Sequence, residues 1–171
     1  MIDRKVFGPK SIDELSFQRG YCLTSSDNKA VDGIKGIEGW RSIEFSNYYL
    51  KYCPTLGCEY ATEGEVEIVM LGYALNPFDG ANNNREIITK LALELEKNED
   101  GFYDYLNELS GRFLLFVVYK DNHFALQDAT ALRTCFYTET DLPFTLSSHS
   151  GLIGELYDLS IDPLVLEITN S

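Results

Sequence analysis

The sequence predicts an α+β protein, with strands and helices in separate blocks, and three observations carry the prediction. Phe113-Leu114-Leu115-Phe116-Val117-Val118-Tyr119 is apolar at every position, which fits a strand covered on both faces. From Asn82 to Asn98, residues Ile87, Ile88, Leu91, Ala92 and Leu95 form one stripe with charges opposite, the pattern of an amphipathic helix. The order along the chain is strands, two helices, then strands, and such segregation belongs to layered α+β proteins.

Taken in order, residues 1–40 carry little periodicity. Lys5-Val6-Phe7 and Tyr21-Cys22-Leu23-Thr24 read as short strands, and Asp27-Asn28 and Asp32-Gly33 read as turns. Strands are expected at Ser42–Phe45 and Tyr48–Tyr52, linked by Ser46-Asn47, after which Pro54 and Gly57 break the chain. From Glu65 to Ala74, Val66, Ile68 and Met70 alternate with Glu65 and Glu67, and the run then becomes apolar on both sides. That is a strand entering the core. Asn76-Pro77-Phe78-Asp79-Gly80 ends it with loop chemistry.

The Asn82–Asn98 helix opens with Asn83 and Glu86 in capping-box spacing. Asp100-Gly101 is expected to break it, and a second helix is expected over Phe102–Leu109 with Gly111 as its C-terminal cap. The Phe113–Tyr119 run could also be a buried helical turn; the glycine before it and the Lys120-Asp121-Asn122 turn after it favour a strand. A return strand runs from His123 to Gln127, a loop begins at Asp128, and a third strand passes through Arg133 to Tyr137. A turn, a strand at Phe144–Ser147 and a helix at Ser150–Tyr157 follow, and Asp162 begins a further helix.

Composition narrows the function. With 171 residues, one domain over 1–171 is expected. A hydrophobic content of 44% with 13% aromatics supplies a core. The net charge of −13 argues against nucleic acid and anionic membrane as partners. The eleven tyrosines and ten phenylalanines have no basic residues interleaved, so they read as packing and not as a base-stacking platform. Cys22, Cys53, Cys58 and Cys135 form no zinc-type pairing, and His123 and His149 sit in different elements. Neither a metal nor a cofactor is expected. No signal-peptide core and no bilayer-length apolar segment is legible, so a cytoplasmic protein with reduced thiols is the expectation.

Two motifs carry a resemblance. Leu109-Ser110-Gly111-Arg112-Phe113 precedes a hairpin, and Gln127-Asp128-Ala129-Thr130-Ala131-Leu132-Arg133-Thr134-Cys135-Phe136-Tyr137 follows it. Together they resemble the end of the N-terminal glutamine amidotransferase domain of asparagine synthetases. There a helix ends in Leu-x-Gly-x-Phe, and the hairpin leads to Arg-Asp-x-x-Gly-x-Arg/Lys-Pro-Leu-Tyr-Tyr. Gln127, Ala131 and Thr134 depart from the pattern. Ser147-Ser148 falls where the family has a small-Ser strand end, and the likeness spans Val66 to Leu156.

The resemblance implies a four-layer αββα sandwich of antiparallel sheets, the architecture of N-terminal-nucleophile hydrolases and class II glutamine amidotransferases. The chain is expected to stop short of the last strands of such domains, leaving a sheet edge that a partner or a second copy could cover. The implied partner is an amide-forming synthetase of the ATP-pyrophosphatase type.

The family's chemistry is altered at each position the resemblance marks. An N-terminal cysteine should activate its own thiol with its α-amino group, yet Ile2 follows Met1. An Asn-Gly pair should stabilise the tetrahedral oxyanion, and Leu71-Gly72 stands there. An acidic residue should hold the substrate ammonium group, and Asn84 takes its place with Glu86 two residues on. Arg41 is the candidate for the substrate carboxylate. The expectation is therefore a non-catalytic domain with a degenerate pocket at Leu71, Gly72, Asn84 and Glu86. The alternative is an active amidohydrolase exposed by processing at Cys22. Asp128 and Arg133 read either as a ligand-binding pair or as a loop lock in which Arg133 meets a nearby carboxylate. The loop lock is favoured, because the family's catalysis lies elsewhere.

Overall fold

Strands β5 (Val66–Leu75) and β6 (Ser110–Tyr119) pair antiparallel over their whole lengths, Val66 opposite Tyr119 and Leu75 opposite Ser110. Their alternation sorts the core in two. Val66, Ile68, Met70, Phe113, Leu115 and Val117 face helices. Val69, Leu71, Leu114 and Phe116 face a second sheet. A strand projects successive side chains to opposite faces, so a fully apolar run serves both at once. The structure is a computed structural model, and it describes residues 19–139, 141–160, 162 and 163.

Among the described residues there are two antiparallel sheets and four helices, an α+β arrangement. One sheet has the order β4-β5-β6-β7, with β4 at Cys58–Glu63 and β7 at Asn122–Gln127 on its edges. The other has the order β2-β3-β1-β9-β8. Its strands are β1 (Tyr21–Ser25), β2 (Arg41–Phe45), β3 (Tyr48–Tyr52), β8 (Phe136–Tyr137) and β9 (Thr145–Ser147).

Helices α2 (Asn84–Lys97) and α3 (Glu99–Asn107) pack on the first sheet through Ile87, Ile88, Leu91, Leu95 and Phe102. Fully burying each such side chain contributes about 1.5–3 kcal/mol. On the second sheet, Cys22 and Tyr49 meet Val31 and Ile34 of α1 (Ala30–Lys35) and Leu152 of α4 (Ser150–Leu156). Tyr21, Leu23 and Leu50 point the other way, into the core shared between the sheets.

Several boundaries differ from expectation. The break between the two helices falls at Asn98 and not at Asp100-Gly101: Asn98 is extended and caps α3 by accepting from the Gly101 amide at 2.7 Å, so Asp100 and Gly101 fall in the first turn of α3. Gly111 is not a helix cap. It lies in β6 with φ +142°, where a Cβ would overlap the Tyr73 carbonyl and stand 2.9 Å from the Ala74 Cα. Asn83 caps α2 by accepting from the Arg85 amide at 2.9 Å, while Glu86 stays exposed. The Asp32-Gly33 turn signal lies inside α1, held by the apolar contacts of Val31 and Ile34. The unexpected strand β4 is an edge strand whose alternation is only partly apolar. The strand expected through Arg133 shortens to Phe136–Tyr137. The expected strand at Lys5–Phe7 lies outside the described residues, as does the helix expected from Asp162 to Ser171 apart from its first two residues.

Candidate functional site

Gly72 is the centre of the site because three elements converge on its backbone. Its N–H donates to the Gly57 carbonyl at 2.7 Å, which draws the β3–β4 loop onto β5. Its carbonyl accepts from Asn84 Nδ2 at 2.9 Å. Asn84 Oδ1 in turn accepts from the Ala74 amide at 3.0 Å. One side-chain amide thus satisfies a carbonyl and an amide of β5 and fixes the first turn of α2 there. Gly72 has φ +112°, and a Cβ on it would overlap the Arg112 carbonyl oxygen. Only glycine fits.

The structure brings together Leu71, Gly72 and Asn84. It leaves Glu86 exposed to solvent. Leu71 is 3% exposed and belongs to the core between the sheets. Asn84 also lines a cleft of about 580 Å³ with Glu59, Tyr73, Ala74 and Leu75. Arg41 stands exposed at the start of β2, opposite Tyr52.

Arg133 occupies the ground over Gly72. A Cβ built on Gly72 would stand 3.1 Å from both Nε and Nη2 of its guanidinium. Arg133 is 9% exposed, and its Nε has no hydrogen-bond partner. Burial lowers its pKa, and the neighbouring Arg112 and Arg19 act in the same direction. The carboxylate pairing expected for it is absent: among the described residues, the side-chain ion pairs are Lys90–Asp79 and Lys97–Glu94.

Asp128 does lock its loop. Oδ1 accepts from the Thr130 hydroxyl at 2.6 Å, the Thr130 amide at 3.1 Å and the Leu132 amide at 3.4 Å. Burial pushes its carboxyl up, but the hydrogen bonds from Thr130 and Leu132 outweigh it and hold the group below the usual carboxylate range. Its Oδ2 is buried without a partner. Ala131 takes φ +49° to make this turn.

The thiols divide sharply. Cys22 is wholly buried in β1 against α1 and α4, and burial raises its pKa to about 12. Burial likewise takes Cys58 to about 12 and raises Cys135. Cys53 behaves oppositely. Burial again raises it, but hydrogen bonding from the Thr55 hydroxyl (3.2 Å) and from the Thr55 and Arg19 amides leaves its pKa lowered.

Arg19 and Arg112 were not singled out by sequence. Alternation in β6 could have found Arg112, since it precedes Leu114 and Phe116 on the strand face that meets the second sheet. Nothing local marks Arg19. Among the described residues, no group of three His, Cys, Asp or Glu is placed to hold a metal, and no helix is long and apolar enough to cross a membrane. No family model matches the chain, and no curated protein matches it.

Proposed function

We propose that this chain is a non-hydrolytic domain of the asparagine-synthetase amidotransferase type, acting as a binding or structural module beside an amide-forming synthetase of the ATP-pyrophosphatase type. The order in which the cores stack, α2 and α3, sheet, sheet, α1 and α4, supports a four-layer αββα sandwich. The observation that carries the loss of hydrolysis is the replacement at β5. Leu71 buries its side chain where the family presents an amide donor, and the Arg133 guanidinium lies over Gly72. A tetrahedral oxyanion needs donors aimed at an open position. The exposed Phe136 and Tyr137 on edge strand β8 suit a partner or a second copy.

The test is incubation of the purified chain with glutamine and with a glutamine-like electrophile, read by ammonia release and intact mass. The expected result is an unlabelled chain and no ammonia above a Cys22→Ala control. A shortened chain labelled at a new N-terminal Cys22 would replace this reading with an active amidohydrolase.

A further inference from the structure

We propose that Arg133, Arg112 and Arg19 form a binding site for a small oxyanion, a carboxylate or phosphate group, at the Gly72 end of the two-sheet core. This rests on the charges and their geometry, independently of the amidotransferase reading. The chain has 27 acidic residues against 14 basic ones, so acidic neighbours are plentiful. Yet Arg133 lies against Gly72 and Arg112 bonds into the loop that carries Arg133, both Arg112 and Arg19 act on Arg133 in the same direction as its burial, and none of the three has a side-chain ion pair among the described residues.

The arrangement is graded. Arg19 and Arg112 are exposed, and Arg133 is buried with an unpartnered Nε. Arg112 spends its own Nε on the Leu132 carbonyl at 3.1 Å, which steadies it beside the loop that carries Arg133. Among the described residues, Asp128 is the carboxylate that acts on Arg133, and its Oδ2 is buried without a hydrogen-bond partner. Its Oδ1 is committed to Thr130 and Leu132. A buried cation without a counter-charge is costly, and a bound anion removes that cost. The planar guanidinium fork matches carboxylate and phosphate oxygens in particular.

The experiment is a titration of the full chain with sodium phosphate, and separately sodium acetate, against sodium chloride at equal ionic strength. It follows the arginine Nε–Hε signals by NMR. The Arg133 signal is identified by its loss in Arg133→Lys. It is expected to shift saturably with phosphate or acetate and not with chloride, and whichever anion saturates names the class. In the doubly exposed variant Arg19→Gln/Arg112→Gln, affinity is expected to fall about tenfold. If Asp128 is instead the counter-ion, the wild type shows no saturable shift and Asp128→Asn acquires one. That result, a shift no larger than chloride produces, or unchanged affinity in the double variant would each overturn the proposal.

Discussion

Asn84 holds Gly72 from the side: its Nδ2 donates to the Gly72 carbonyl at 2.9 Å while its Oδ1 accepts from Ala74 two residues on. An amide carries a donor and an acceptor on separate atoms, which an ionised carboxylate does not, so this two-point clasp suits Asn84 and would not suit an aspartate.

Asn84→Asp keeps the bond from Ala74 and gains a favourable charge at the N-terminus of α2. It loses the donor and sets a carboxylate against the Gly72 carbonyl. The loss is expected to win, destabilising the fold by about 1–2 kcal/mol at neutral pH in urea unfolding. A variant as stable as the wild type would show that the clasp contributes nothing.

Gly72→Ala meets two obstacles together, a positive φ and a Cβ placed on the Arg112 carbonyl oxygen. Backbone cannot yield as a side-chain tip can. A loss of about 3 kcal/mol or more, or failure to fold, is expected in denaturant titration. Near-wild-type stability would mean β5 and β6 can separate locally at no cost.

Ala131→Gly relieves a left-handed alanine in the Asp128 turn. The gain from backbone relief exceeds the entropy glycine loses, so the variant should be stabilised by about 0.5–1 kcal/mol in thermal unfolding. A lowered midpoint would contradict this.

Asp128 has its folded pKa lowered below the unfolded value. Such a group contributes stability that is present above the unfolded pKa and lost as pH falls through the folded one. Acid unfolding of the wild type should therefore steepen below about pH 4. Asp128→Asn should be less stable at neutral pH and flatter across that window. Parallel acid profiles for the two proteins would remove Asp128 from the account.

Cys53 should be the first thiol alkylated by iodoacetamide in the native protein, with Cys22 and Cys58 protected until unfolding. Peptide mass mapping over time reads the order directly. Early modification of Cys22 would show that β1 opens readily.

Legibility followed range along the chain. Phe113–Tyr119, Val66–Ala74 and the Ile87–Leu95 stripe were readable because each pattern spans one element and reports its own burial. Strand β4 and helix α1 were not. Cys58–Glu63 is an edge strand with half its face wet, and α1 is a single short helix whose glycine reads as a turn. The capping of α3 by Asn98 hid inside what reads as a break.

At the site, residue order alone tells that Leu71 is apolar, that residue 72 is glycine and that an amide stands at 84. It also marked the Asp128 turn, whose bonds lie within five residues of chain. It took the packed fold to set Arg133 on Gly72, to let Asn84 clasp the same residue, and to bring Arg112 onto the loop that carries Arg133. Periodicity records that a side chain is covered. Which group covers it depends on how two sheets and a loop meet, and that is set by packing between segments distant in sequence.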